Sequence, residues 1–298
     1  MTTALTPRHA LLAFAVAAVW GTNFVIIKLA LAHLPPLLFA TLRFALAAIP
    51  GVFFLRRPKV PLAQIALYGI LIGVGQFGLL FIAINGRIAP GLASLVVQSQ
   101  VFFTIGLAML MTGERLRAIQ IVALAMGAAG IALIGANTGG ATSLTGIALV
   151  LGAAFSWACG NIVQRRSVGV NMLAYVVWAS LFAIPPLFAL SIALEGWTAI
   201  VAGVANADAS TWGAVAWQAI GNTMFGYGGW GFLLTRYPAA TVAPWSLLVP
   251  VFGIAAAAWW LAEPLPGWKI AAGALVLGGL AINLFWPQFS RRFLSRPV

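Results

Sequence analysis

Ten neutral polar side chains fall where an otherwise apolar chain would surround them with hydrocarbon. They are Asn23, Gln76, Gln98, Ser99, Gln100, Asn161, Tyr175, Asn222, Tyr227 and Ser246. Amides and hydroxyls donate and accept hydrogen bonds but carry no charge near neutral pH. The chemistry they offer is solvation, a polar path for a small solute through an apolar medium. Their competing use is hydrogen bonding between neighbouring helices. On a regular helix successive residues turn by about 100°, so Gln98 and Gln100 project roughly 200° apart. At most one of them, with Ser99, then faces a narrow cavity. The other bonds a neighbouring helix, or the helix unwinds locally.

Aromatic rings accompany these groups. Trp20, Trp157, Trp178, Trp217, Trp230 and Trp245 lie deep in apolar stretches and can stack on an aromatic or cationic solute, or simply fill space. Eleven of the 12 tryptophans fall in the second half, so an aromatic lining would be asymmetric. Trp197, Trp212, Trp259, Trp260, Trp268 and Trp286 lie near the ends of apolar stretches, as interfacial anchors do.

The residues that bond-breaking chemistry needs are missing. The chain has a single cysteine, Cys159, inside an apolar stretch, so neither a disulfide nor a cysteine metal site is available. There is no HExxH motif, no pair of membrane aspartates and no Ser/His dyad. No catalytic residue, metal or cofactor is expected. The four acidic residues, Glu114, Glu195, Asp208 and Glu263, sit at the ends of apolar stretches or between them. His9 and His33 are equally peripheral. No buried carboxylate is left to cycle a proton, so facilitated diffusion is the simpler mode of passage.

Composition states what holds these residues. Of 298 residues, 62% are hydrophobic and 7% charged, and the net charge is +12. A soluble domain carries about 25% charged residues, whereas the mean hydropathy here is +1.04. The expected class is an all-α polytopic membrane protein whose partner is the lipid bilayer. Nucleic acid is excluded as a partner because the basic residues sit in short loops, not on one face. A span needs about 20 apolar residues. Ten stretches fit: 9–31, 36–55, 62–84, 89–111, 117–136, 144–164, 172–194, 212–234, 239–262 and 267–286. The first is too long for a signal peptide and lacks a cleavage site, so it reads as an uncleaved span. The longest connection is 195–211.

With the N-terminus in the cytoplasm, twelve Lys and Arg fall on that side: Arg8, Arg56, Arg57, Lys59, Arg115, Arg117, Arg165, Arg166, Arg236, Arg291, Arg292 and Arg296. Only Arg87 and Lys269 fall outside, and Lys28 and Arg43 lie within spans. That bias places both termini in the cytoplasm.

The chain also reads as a duplication. Gly73-Val-Gly-Gln-Phe77-Gly78 returns 148 positions later as Gly221-Asn-Thr-Met-Phe225-Gly226, and Pro90 pairs with Pro238. Val101-Phe102 through Glu114-Arg115-Leu116 matches Val251-Phe252 through Glu263-Pro264-Leu265 at an offset of 149–150. Asn23-Phe-Val matches Asn161-Ile-Val at 138, and the ten-residue difference fits a lengthened 195–211 connection. Two units follow, 1–138 and 139–298, each with five spans. Because five is odd, the second unit is inverted relative to the first, as in many secondary transporters. Glycines at matching positions (Gly73 and Gly78, Gly221 and Gly226) permit either close helix packing or bending. Pro244 and Pro250 add kink points, and the span holding them is the candidate bent gate.

These residues resemble a known family. Trp20-Gly-Thr-Asn-Phe-Val with Lys28, Pro35-Pro36, Ala40-Thr-Leu-Arg43-Phe-Ala-Leu-Ala and the twice-used Val-Phe…Glu block are similar to the EamA family of the drug/metabolite transporter superfamily. The resemblance covers both halves, and within the family the chain is similar to the YddG-type exporters of aromatic amino acids. It implies a multi-pass protein of the bacterial inner membrane, with a central cavity between spans 1, 3, 4, 6, 8 and 9. Alternating access would export amphipathic metabolites, above all amino acids. An exporter of organic cations or drugs, and a non-transporting sensor or scaffold, are the alternatives. Arg43 marks the family whatever the cargo, which favours a structural role over attraction of a carboxylate. One departure stands out: Gln100 occupies the position where the second half has Pro250. Gly127-Ala-Ala-Gly130 and Gly278-Gly279 serve a homodimer face or packing within a monomer equally well.

Overall fold

A computed structural model describes residues 5–112, 118–165, 167 and 169–294. Glu114, Arg115, Leu116, Arg117, Arg166 and Arg296 lie outside the described residues, as do the side chains of Trp286, Arg291 and Arg292. Among the described residues all regular structure is helical, apart from one isolated bridge between Gly139 and Thr142.

The helices are α1 (Pro7–Ala30), α2 (Pro36–Phe54), α3 (Leu62–Ile84), α4 (Pro90–Met111), α5 (Ala118–Ala136), α6 (Leu144–Gln164) and α7 (Met172–Leu194). They continue as α8 (Trp197–Asn206), α9 over 209–236, α10 over 239–260 and α11 (Gly267–Leu294). Nine helices among the described residues are long and apolar enough to cross a membrane. The helical run of α9 falls outside that group because Gln218, Asn222, Thr223 and several glycines dilute its apolar character. The 195–211 connection contains the short helix α8.

Local chemistry sets the boundaries. Proline opens α1, α2 and α4 at the first turn, where its missing N–H is not required. Gly86 and Gly196 follow α3 and α7 at φ of 80° and 86°, a left-handed backbone that a side chain would strain. In lipid the backbone must satisfy itself, which these near-continuous helices do. Trp197, Trp212, Trp259 and Trp260 are exposed on the outer surface, which suits a lipid-facing belt.

The helices pack in specific pairs: α5 along α11, α2 along α7, α1 against α10 and α9, and α6 against α3 and α4. The loops gather at two ends. At one end His33 Nδ1 meets Thr211 Oγ1 at 2.8 Å, Leu37 N donates to Glu195 at 2.6 Å, Ser143 N donates to the Arg87 carbonyl at 2.9 Å and Gly91 N donates to Glu263 at 3.1 Å. At the other, Gln64 Nε2 donates to Ser167 Oγ at 2.6 Å and Trp178 Nε1 to the Leu55 carbonyl at 2.9 Å. This second end carries Arg8, Arg56, Arg57, Lys59, Arg165 and Arg236.

Candidate functional site

Four helices abandon regular α geometry in their middle. α3 widens into a π-helix over Leu71–Gly78 and α9 over Trp217–Phe225. α4 tightens into a 3-10 turn at Val97–Ser99, and α10 does so at Ala243–Leu247. Such departures re-aim side chains and often mark functional positions. All four contribute to the wall of one cavity of about 270 Å³.

Nine residues singled out from the sequence line this cavity: Asn23, Gln76, Gln98, Gln100, Trp157, Asn161, Asn222, Tyr227 and Ser246. Gln98 and Gln100 both reach it because the helix tightens beside them at Val97–Ser99. A 3-10 turn advances about 120° per residue, which brings the two amides closer in direction than an α-helix would. Ser99, Trp178 and Trp245 are not among the lining residues. The Ser99 hydroxyl is buried in the protein, the Trp178 indole is tied to Leu55, and Trp245 packs against the cluster of Leu233, Tyr237 and Val242. Tyr175 stands behind the cavity, its ring 5.0 Å from that of Tyr68.

Other lining residues carried a weaker signal. Trp20 and Trp230 were visible as deep aromatics. Tyr68 lies eight positions before Gln76 and Gln164 three after Asn161, both same-face spacings on a helix. Phe24, Phe77, Leu80, Val97, Met172 and Val249 supply apolar wall and read as ordinary core.

The polar groups are partly wired together. Asn161 Nδ2 donates to Gln100 Oε1 at 2.9 Å and to Thr104 Oγ1 at 3.3 Å, joining α6 to α4. Gln98 Nε2 lies 3.5 Å from the Ser246 carbonyl of α10. Trp20 Nε1 donates to the Asn222 carbonyl at 3.2 Å, and its ring stands 5.5 Å from Tyr227 and 5.3 Å from Trp230. No charged residue is among the described lining, so the cavity presents amides, hydroxyls and aromatic faces.

Arg43 lies behind this wall and is 1% exposed. Its Nη2 donates to Thr223 Oγ1 at 3.0 Å, and its guanidinium stacks 3.8 Å from the Phe77 ring centroid. Phe77 and Thr223 belong to the two π segments, so one cation on α2 ties both irregular stretches together. That contact supports the holding role.

Of the residues read as hinges, Gly73 abuts Ala183 and Gly226 abuts the Trp20 indole so closely that a side chain would not fit. A Cβ on Gly78 would make ordinary contacts with the ends of Leu187 and Leu37 at 3.5 Å, and one on Gly221 would meet the Trp217 ring at 3.3 Å. Pro244 opens the 3-10 turn of α10 and Pro250 is buried just beyond it.

The described acidic residues each hold a helix start. Glu195 accepts from Leu37 N and Leu38 N at the head of α2, Glu263 accepts from Gly91 N at the head of α4, and Asp208 accepts from Thr211 N in α9. Glu263 also pairs with Lys269 at 2.8 Å. Carboxylates are stabilised there by unsatisfied N–H groups and the helix dipole. The hydrogen bonds of Thr211, first its hydroxyl and then its N–H, with Ser210, lower the Asp208 carboxyl from 3.8 to about 2.

The cavity reaches Gln164, the last residue of α6, and Met172, the first of α7, at the end rich in basic loops. Toward the opposite end helices close on one another. A Cβ on Gly21 would collide with Phe252 of α10, and one on Gly253 with Ser94 of α4.

A helical membrane bundle around an uncharged polar cavity has the form of a small-molecule transporter. Comparison with known proteins agrees. The EamA-like transporter family matches residues 8–136 and again 144–285, and the chain belongs to that family. It is 44% identical over 284 residues to a probable amino-acid metabolite efflux pump of Salmonella typhimurium, covering 93% of this chain and 95% of that protein. The protein of the same description in Escherichia coli K12 is 42% identical over the same shares. A probable terminal-alkyne amino-acid exporter of Streptantibioticus cattleyicolor is 27% identical over 85% of this chain and 81% of its own. A crystal structure of 22% identity aligns with 98% of this chain and all of its own at a TM-score of 0.64, which shows a shared fold. The protein is a multi-pass transporter of the bacterial cytoplasmic membrane.

Proposed function

We propose that this protein exports amphipathic amino acids, aromatic ones foremost, by alternating access and without proton coupling. The observation that carries the reading is the uncharged, amide-rich and tryptophan-walled cavity bounded by four irregular helix segments. The names of the relatives support the substrate class. The absence of any acidic or histidine side chain from the described lining supports passage down a gradient.

The architecture that fits is ten spans, α9 included, in two inverted halves, 1–138 and 139–298, with both termini in the cytoplasm. Its support is the family match on each half and the exchange of contacts between them, in which α1 meets α10 and α9 as α6 meets α4 and α3. The basic end is then cytoplasmic, and the cavity is loaded from that side. Gly73, Gly78, Gly221, Gly226, Pro244 and Pro250 bound the segments that bend during the switch.

Counterflow into proteoliposomes with a panel of radiolabelled amino acids, with and without an imposed proton gradient, tests this. Saturable exchange of aromatic amino acids that ignores the gradient is expected. Flux that needs the gradient would overturn the uncoupled mechanism, and flux of organic cations alone would favour a drug exporter. Saturable flux of nothing would leave a sensor or scaffold.

A further inference from the structure

Two amides of the residues that line the cavity end in buried oxygens with nothing to bond. Asn23 Oδ1 and Gln76 Oε1 are buried without a partner among the described residues, on side chains only 4% exposed, and both residues line the cavity. A buried acceptor left without a donor is costly enough to require an occupant. Arg43 presents the converse anomaly. Its Nε and Nη1 have no partner, and no ion pair among the described residues includes it. The guanidinium rests on Phe77, whose ring lines the cavity, so an unneutralised positive charge sits one ring behind the wall.

These facts make complementary demands. Neutral acceptors that seek donors suit an ammonium group, while a fixed positive charge nearby repels any ligand that is only a cation. Both are met by a molecule that brings an ammonium and an anion together. We propose that the cavity selects zwitterions, Asn23 and Gln76 accepting the ammonium while the charge of Arg43 makes a carboxylate obligatory. This rests on the amino-acid reading above and adds to it which end of the amino acid each residue reads. Arg43 acts through Phe77 as a specificity-determining residue and touches no substrate. A ligand charge on the far face of the ring stands on the order of 8 Å from the guanidinium. At an effective dielectric of about 20, removal of the carboxylate should weaken binding by about thirtyfold.

The test is calorimetric titration of the full-length protein in nanodiscs at neutral pH with three probes of one shape: phenylalanine, phenethylamine and 3-phenylpropanoate. Phenylalanine should bind best and phenethylamine about thirtyfold more weakly. In Arg43→Gln, whose amide can still donate to Thr223, that gap should shrink to a few-fold. In Asn23→Leu/Gln76→Leu, phenylalanine should lose its advantage over 3-phenylpropanoate. Phenethylamine binding the unaltered protein as tightly as phenylalanine would overturn the inference whether or not the variants fold. An undiminished gap in a folded Arg43→Gln protein would do the same. Failure of phenylalanine itself to bind would instead sink the aromatic amino-acid reading.

Discussion

Gly253 of α10 faces Ser94 of α4, and a Cβ built on it would stand 2.5 Å from Ser94 Cβ. Ordinary carbon contacts need about 3.5 Å or more, so Gly253→Ala must part the two helices by about 1 Å. Neither atom can turn aside, because both are Cβ atoms fixed by backbone. Overpacking of this kind costs about 1–3 kcal/mol. If these helices touch only when the end away from the basic loops is closed, the penalty falls on that conformation alone. The balance then moves toward opening at that end by about 5- to 150-fold. The assay is labelling of Val97→Cys, a cavity position, in a Cys159→Ala background, using a membrane-impermeant maleimide outside intact cells. Gly253→Ala should accelerate labelling, and adding Ser94→Gly, which removes the obstructing atoms, should slow it again. Unchanged labelling with lowered thermal stability, or failure of Ser94→Gly to compensate, would refute the assignment of this contact as a closure.

Three further outcomes follow from particular contacts. Glu195 accepts hydrogen bonds from Leu37 N, Leu38 N and Ser191 Oγ, so Glu195→Gln should lose about 1–3 kcal/mol and Glu195→Ala more, read as thermal unfolding in detergent; a Glu195→Gln protein as stable as the parent contradicts the cap. The carboxyl of Asp208 is held at about 2, below its unfolded value, so its contribution is complete above about pH 4 and fades as pH falls toward 2. Acid unfolding of Asp208→Asn compared with the parent should show the difference vanish across that window, and parallel curves would exclude the effect. Asn161→Leu leaves Gln100 Oε1 without its 2.9 Å donor and should cut counterflow about tenfold or more in a folded protein; parental flux would show that this pair does not shape the path.

Much of the bundle was legible because lipid imposes a simple rule on sequence. Apolar stretches bounded by Pro35-Pro36 or Arg56-Arg57-Pro58-Lys59 fix helix limits to within a few residues, and 62–84 in the sequence is Leu62–Ile84 in the structure. Neutral polar residues in such stretches are costly, so Asn23, Gln76 and Asn161 could be found one at a time. What a single sequence does not carry is direction. The indole of Trp178 turns to Leu55 and that of Trp20 to Asn222, though both are deep tryptophans in apolar helices. The π segments were equally hidden, since glycine-rich stretches pack closely and bend with the same composition. Gln98 and Gln100 marked the exception. Their spacing left a regular helix unable to present both, and the structure resolves the conflict by tightening α4 into a 3-10 turn.

The 3-10 turns fall where the chain's internal likeness slips in register. Pro90 and Pro238 are 148 positions apart, but Val101 and Val251 are 150 apart. Two residues are gained between these landmarks, where the turn of α4 spans three residues and that of α10 spans five. The outline of the cavity is thus set partly by how many residues its edges contain, in addition to which ones. Scanning by substitution holds that number constant. Diversifying what the protein carries calls for deletions and insertions at 97–99 and 243–247, a kind of variation that alanine or saturation scans never sample.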